Sequence, residues 1–185
     1  TDSVLPSSPE VHTAREGDVL FVNVSGSGTW RESRHVLEIT QEALDTDKRY
    51  LVLDFTRCTH LDSTFLGVLH NVCGRADEAE NLTIQLQNLK RPLLKDISEL
   101  GLTNVLLHFE SSPRPLPESM STVKEGVTPE LEMGRLLLEA HEALVQADPE
   151  NADRFAAVLK VLHEQAGKRL NNTTEEVHLV DREKS

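Results

Sequence analysis

Apolar positions in the first part of the chain follow two spacings, one typical of buried strands and the other of amphipathic helices. Nearly continuous apolar runs at Val19–Val24 and Tyr50–Phe55, and an alternating run at Leu82–Leu86, predict strands. Apolar residues at helical spacing predict a helix over Ser33–Leu44 and a second from Phe65 to Ala79. Strands and helices therefore alternate along this part of the chain.

Weaker elements complete the order. Val11–Ala14 predicts a short first strand, and Val105–Phe109 predicts a closing strand. Pro92–Gly101 predicts a helix with proline in its first turn and glycine as its C-terminal cap. Repeated alternation of strand and helix implies parallel strands joined by right-handed crossovers. The predicted fold class is α/β, with a small, mostly parallel or mixed sheet and crossover helices over residues 1–110.

The remainder of the chain is predicted to be helical after a break. Residues 111–127 are rich in proline and are predicted to be a linker. Two apolar stripes at helical spacing follow within residues 128–170. Thr128-Pro129-Glu130 is a typical helix start, with Thr128 as the N-cap and Pro129 at the first helical position, and Asp148-Pro149-Glu150 repeats it. They predict an α-helical hairpin extension, which must dock on the first domain or on another subunit to bury its apolar stripes. Residues 171–185 are predicted to be a flexible tail.

Composition and charge narrow the classes of function. A hydrophobic content of 38% with 27% charged residues is typical of a globular protein. The net charge of −12 repels nucleic acid and anionic membranes, and aromatic residues at 4% offer little surface for base stacking. No apolar run approaches the ~20 residues that span a bilayer, and the polar N-terminus has no signal-peptide core. We therefore expect a cytoplasmic protein with neither nucleic acid nor membrane as its partner.

The most informative stretch is Leu51–Leu69, which reads LVLDFTRCTHLDSTFLGVL. An apolar strand ends at Asp54, a short loop leads to the pair Asp62-Ser63, and a Leu-Gly-Val-Leu run then opens a helix. This motif resembles the signature of STAS domains of the anti-sigma factor antagonist type. The order of elements over about residues 10–110 is similar to that of the family as well.

One position departs from the family pattern. The family usually has Asp-Ser-Ser-Gly-Leu-Gly, whereas this chain has Asp-Ser-Thr-Phe-Leu-Gly, so that Phe65 replaces a glycine. The ring either packs into the core or protrudes as a partner contact. The departure bears on the identity of the partner more than on the fold.

The resemblance implies a non-enzymatic regulator that works by partner switching. Simple members of the family bind an anti-sigma factor that is also a Ser/Thr kinase, and this binding releases the sigma factor. The kinase phosphorylates the serine of the Asp-Ser pair, here Ser63 with Thr64 as second choice, and the complex stays apart until a Ser phosphatase removes the phosphate. The implied partner-binding residues are Asp62, Ser63, Thr64, Phe65, Leu66 and Gly67.

The physical chemistry of Ser63 supports the same role. A predicted strand-to-helix junction offers unpaired backbone N–H groups and the positive end of the helix dipole, which favour an anion. A phosphate adds about −1.5 to −2 charges, and burying it beside Asp62 in a packed interface strongly opposes binding. The simpler interpretation is a plain helix N-cap that Asp62 and Ser63 supply together.

Enzymatic and metal chemistry find little support in the sequence. His60, Asp62 and Ser63 are too close along the chain to converge as a hydrolase triad, and no GxSxG elbow is present. Neither the histidines nor Cys58 and Cys73 have a metal-binding spacing. No catalytic residue, metal or cofactor is predicted.

Two alternative functions stay open. The chain could be a STAS scaffold or sensor that forms a homo-oligomer through its C-terminal hairpin, across which His141 and His163 could face each other, without phosphate cycling. It could also bind a nucleotide or another small molecule in the predicted loop Ser25–Thr29. That loop lies between a strand and a helix but lacks the GxGxxG and GK[ST] patterns.

Overall fold

The computed structural model describes the backbone of residues 8–182 and the side chains of residues 8–171. Residues 1–7 of the polar lead and residues 183–185 of the predicted tail lie outside the described residues. A seven-stranded sheet forms the centre of the molecule. Its strands are β1 (Glu10–Glu16), β2 (Val19–Gly28), β3 (Tyr50–Asp54), β4 (Cys58–Leu61), β5 (Thr83–Gln87), β6 (Phe109–Glu110) and β7 (Ser121–Thr122).

The sheet is mixed, with a parallel centre. Its order is β6-β5-β3-β2-β1-β7, and β4 pairs with the last residues of β2. The pairs β2–β3, β3–β5, β5–β6 and β2–β4 are parallel, whereas β1 is antiparallel to both β2 and β7. The predicted α/β fold class with a mostly parallel or mixed sheet is confirmed.

Helices connect the strands and cover one face of the sheet. They are α1 (Trp30–Asp45), α2 (Ser63–Ala79), α3 (Arg91–Glu99), α4 (Thr103–Leu107), α5 (Glu130–Ala147), α6 (Asn151–Arg154) and α7 (Ala156–Arg182). The main core lies between this face and the helices, and fully buried examples are Leu53 on β3, Leu69 on α2 and Leu144 on α5. Among the described helices, none combines the length and apolar character needed to cross a bilayer.

The segment predicted as a linker packs on the second face of the sheet. Leu116 and Met120 contact a small buried cluster of Val19, Phe21 and Val52. Further along, β7 pairs with β1 at the sheet edge. Residues 111–122 are therefore anchored along the sheet, and the chain leaves it shortly before α5.

One strand prediction was wrong, and one strand was not predicted. Residues Thr103–Leu107 form helix α4 instead of the predicted strand Val105–Phe109, and only Phe109–Glu110 pair with β5. An apolar run this short carries no periodicity that separates a strand from a helix. Strand β4 was not predicted, because its pairing partner is distant in the sequence and its central residues are polar.

The segment Ser25–Gly28 belongs to β2 and is not a loop. It pairs with β1 at Ser25 and with β4 from Gly26 to Gly28. A Cβ atom at Gly28 would lie 2.6 Å from the side chain of Leu61 and 2.9 Å from that of Phe65. Glycine is needed at this position for close packing over the core.

The C-terminal helices dock on the STAS-like half of the same chain, where α5 packs along α2 and also contacts α1. The predicted N-cap role of Thr128 was wrong. Helix α5 begins at Glu130, after Pro129 and without a side-chain cap, and the Thr128 hydroxyl accepts a hydrogen bond from Arg34 Nη1 at 2.6 Å. The predicted second helix is interrupted at Phe155, and its main part, α7, continues to Arg182 through most of the predicted tail.

Candidate functional site

Asp62 alone supplies the N-terminal cap of α2. Its Oδ1 accepts a hydrogen bond of 2.8 Å from the backbone N–H of Phe65, and Ser63 is the first residue of the helix. An aspartate at this position satisfies one of the unpaired N–H groups of the first turn. The simpler interpretation of Ser63 as part of the cap was therefore wrong, and its hydroxyl is available for another role.

The Ser63 hydroxyl contacts a histidine on the docked hairpin. Ser63 Oγ lies 3.0 Å from His141 Nε2, and His141 Nδ1 lies 2.7 Å from the carbonyl oxygen of Leu137. A carbonyl oxygen can only accept, so Nδ1 carries the proton and Nε2 accepts the hydrogen bond that Ser63 donates. The His141 side chain is buried, with 4% of the residue exposed, and its ring packs edge-on against Phe155.

His141 was not predicted as a site residue. Its position four residues after Leu137, within the apolar stripe of α5, was the signal that could have found it, because a histidine on a buried face needs a hydrogen-bond partner. The suggested contact between His141 and His163 was wrong. His163 Nε2 is 3.5 Å from Glu142 on the exposed side of the hairpin.

The predicted partner-binding residues divide into a reachable pair and a covered group. Asp62 and Ser63 are half-buried, whereas the other four are buried. The covered residues are Thr64, Phe65, Leu66 and Gly67. A kinase therefore cannot reach the second-choice acceptor, with 4% of its surface exposed, in this conformation.

Phe65 and Gly67 are covered for different reasons. The Phe65 ring is fully buried and packs edge-on against Phe55 at 6.2 Å between ring centroids, so it belongs to the core of the domain. Gly67 lies beneath the hairpin, where an added Cβ atom would be 2.1 Å from the backbone oxygen of Ala140. Helices α2 and α5 thus touch backbone to backbone one turn after Ser63.

An open pocket of about 430 Å³ lies beside the start of α2. Its lining comes from the β4–α2 junction, α3 and α6, and consists of His60, Leu61, Asp62, Ser63, Leu66, Asp96, Glu99, Leu100 and Arg154. Three of these side chains are carboxylates and one, that of Arg154, is a guanidinium. Ser63 thus lies at the edge of a charged, open space.

Burial and hydrogen bonding set the ionisation of the acidic and thiol groups near the site. Burial raises the pKa of Asp62, opposed by the Phe65 N–H bond and by the nearby His60 and His141. Burial also raises the pKa of the Cys58 thiol, and raises that of Cys73 to about 12. Both thiols are thus protonated at neutral pH and are poor nucleophiles. Among the described residues, no group of His, Cys, Asp and Glu is arranged to hold a metal ion.

Two solved forms of one regulator resemble the chain weakly. The unphosphorylated anti-sigma factor antagonist SpoIIAA shares 13% identity over 56% of this chain and 88% of its own, with a TM-score of 0.46. The phosphorylated form of SpoIIAA, a Bacillus cell fate determinant, shares 10% identity over 56% and 91%, also with a TM-score of 0.46. A structure described as Mglu shares 23% identity over 43% of this chain and 19% of its own, with a TM-score of 0.38.

No curated protein matches the chain significantly. The family model described as "Mlab, STAS domain" matches residues 11–108, which is more than half of the chain. The matched range contains β1 without its first residue, the strands β2 to β5, the helices α1 to α4 and the Asp62-Ser63 junction. The chain therefore belongs to the STAS domain family that the Mlab model describes.

Proposed function

We propose that this chain is a cytoplasmic, non-enzymatic partner-switching regulator of the anti-sigma factor antagonist type. It binds an anti-sigma factor Ser/Thr kinase through the start of α2, and a phosphate on Ser63 abolishes that binding until a Ser phosphatase removes it. The observation that carries the proposal is the position of Ser63. Its hydroxyl stands at the first turn of a helix beside an open pocket, and Asp62 has already taken over the capping role.

The position of Ser63 suits a phosphate that is tolerated in the free protein and disruptive in a complex. The N-terminal end of α2 provides a partial positive charge, which favours an anion. The open pocket lets water reach the phosphate. A protein partner packed on the same place would have to desolvate the phosphate beside Asp62, at a cost that the interface cannot recover.

The Ser63–His141 pair does not favour a hydrolase. A carbonyl oxygen, from Leu137, stands where a triad would place a carboxylate to stabilise the protonated histidine. Without that carboxylate a charged imidazolium gains no counter-ion, so the arrangement favours a modified serine over a catalytic one.

Phosphorylation in an extract of the source cells tests the proposal. We expect the purified chain, incubated with ATP and the extract, to gain one phosphate, which tandem mass spectrometry places on Ser63. Ser63→Ala should gain none, and the matched control Thr64→Ala should be phosphorylated like the unaltered chain, because Thr64 is buried. Equal phosphate uptake by Ser63→Ala would contradict the proposal.

A further inference from the structure

We infer that the C-terminal hairpin, α5 to α7, is a built-in competitor for the partner surface at the start of α2, so that an external partner binds there with a helix of the α5 type and only after α5 has left. The inference rests on the proposed function and names how the same site is regulated. The contacts between α2 and α5 carry it.

The first contact occupies the functional hydroxyl itself. The Ser63 hydroxyl donates a hydrogen bond to Nε2 of His141, a residue of the hairpin, with 3.0 Å between Oγ and Nε2. The acceptor nitrogen is held in place because the other ring nitrogen is bound to the Leu137 carbonyl at 2.7 Å. A kinase that bound the start of α2 would have to replace this hydrogen bond.

The second contact leaves no room for another molecule on α2. Gly67, one turn after Ser63, lies so close to α5 that even a methyl group would collide with the Ala140 backbone. The neighbouring Thr64 is buried as well. A protein-sized partner and α5 therefore cannot occupy this face together.

The connection to the hairpin allows α5 to leave while the sheet stays intact. The chain remains bound to the sheet through β7 and through the hydrogen bond from Val123 N–H to the Val11 carbonyl. Residues 124–129 then lead to α5 and, fully extended, reach about 20 Å. Arg34, whose side chain is 24% exposed, holds this end of the hairpin through Thr128 and Glu132.

The residues on the contact face of α5 indicate which kind of partner can replace this helix. Leu136 and Leu144 enter the main core, so their departure exposes apolar surface that a partner must cover again. Ala140 provides the small residue that a close crossing over Gly67 requires, and His141 provides the acceptor for Ser63. The fitting partner is an amphipathic helix of a second protein with a small residue and a hydrogen-bond acceptor at adjacent positions.

A labelled peptide of residues 128–171 serves as a defined probe of the surface. Ala140→Leu in the full chain places bulk against Gly67 and displaces the attached α5, while the surface of α2 stays unaltered. We expect the peptide to bind this variant roughly a hundredfold more tightly than the unaltered chain, because an attached segment competes at millimolar effective concentration. Ala157→Leu, on the exposed side of α7, is the matched control and should behave like the unaltered chain.

Further variants make every outcome decisive. Adding Gly67→Leu to Ala140→Leu should abolish peptide binding. If circular dichroism shows Ala140→Leu unfolded, His141→Ala replaces it. This variant removes the bond to Ser63 together with the ring contact on Phe155, and it should raise binding less but in the same direction. Equal binding of the peptide to the unaltered chain and the loosened variant, or binding to neither, overturns the inference.

Phosphorylation separates this inference from the proposed function. A competing hairpin predicts faster phosphate uptake at Ser63 in Ala140→Leu than in the unaltered chain. Equal rates would overturn the competition and leave the proposed switch standing. If the peptide competes as expected but neither chain gains phosphate at Ser63, the proposed switch is overturned and the competition by the hairpin stands.

Discussion

Asp54 is the last residue of one parallel strand of the sheet, Asp62 directly follows another, and their surroundings are opposite. Asp54 is fully buried, and its two carboxylate oxygens accept hydrogen bonds from Asn23, Thr56, Gln87 and Asn88 at 2.6 to 3.1 Å. Burial alone would raise its pKa, but the bonds from Gln87, Thr56 and Asn88 outweigh burial and lower it.

Asp62 is half-buried, and the hydrogen bond that its side chain accepts comes from the Phe65 N–H. Its pKa is raised, because burial outweighs that bond and the nearby histidines. The saturated carboxylate holds strands together, whereas the unsaturated one lies at an open pocket beside Ser63. The number of hydrogen bonds that each carboxylate accepts thus separates a structural polar cluster from a site kept available for binding.

The largest expected effect is at Asp54. Asp54→Ala removes the shared acceptor, takes from the buried Asn23 amide the acceptor of its hydrogen bond, and leaves the Gln87 amide with the Arg114 carbonyl as its acceptor. We expect a loss of at least about 3 kcal/mol in the free energy of unfolding, measured by urea denaturation. A loss as small as that of Asp62→Ala would contradict the structural role assigned to Asp54.

The contact between α2 and α5 gives the next largest effect. Gly67→Ala should lower the free energy of unfolding by roughly 1–3 kcal/mol, because the methyl group meets the Ala140 backbone, which cannot yield as a side chain can. Gly74→Ala on the same helix is the matched control. It has open space around it and should gain about 0.5–1 kcal/mol from the higher helix propensity of alanine.

The cap at Asp62 has a smaller effect. Asp62→Ala should cost about 1 kcal/mol through loss of the bond to the Phe65 N–H. Asp62→Asn keeps an oxygen for this bond, so thermal unfolding at pH 7 should find it at least as stable as the unaltered chain. A loss equal to that of the alanine variant would show that the charge, and not the capping oxygen, stabilises α2.

The smallest effects are the pH dependences of the two carboxylates, and they have opposite signs. The lowered pKa of Asp54 contributes stability above its unfolded value near 3.8, and this is lost as the pH falls through the lower folded value. The raised pKa of Asp62 contributes stability below its unfolded value near 3.8, and this is lost as the pH rises through the higher folded value. Urea denaturation from pH 3 to 7 measures the loss of unfolding free energy as the pH falls. Compared with the unaltered chain, this loss should be smaller in Asp54→Asn and larger in Asp62→Asn.

The sequence predicted most of the fold because its signals are local. The apolar runs of β2 and β3 and the apolar stripe of α2 each reveal an element without knowledge of its neighbours. The same holds for Gly101, which lies just after the end of α3 as predicted and has a φ of +68°. Such elements depend on periodicity and turn chemistry, which a single segment contains.

The candidate site was only half predictable because it is assembled from distant segments. The Asp62-Ser63 junction follows from its motif, but its contact with His141 spans 78 positions and has no local signal. Likewise, the Thr128 hydroxyl, expected as a helix cap, instead accepts a hydrogen bond from Arg34 across 94 positions. Tertiary contacts of this kind decide between alternatives that local sequence leaves open.

The most direct test of the central claim is calorimetric titration with the kinase that phosphorylates Ser63, fractionated from the extract by that activity. Ser63→Ala should bind the kinase at least as tightly as the unaltered chain, because it adds no charge. Ser63→Asp should bind on the order of a hundredfold more weakly, because an unpaired charge must be buried beside Asp62. Equal affinities of the two variants would contradict a switch at Ser63.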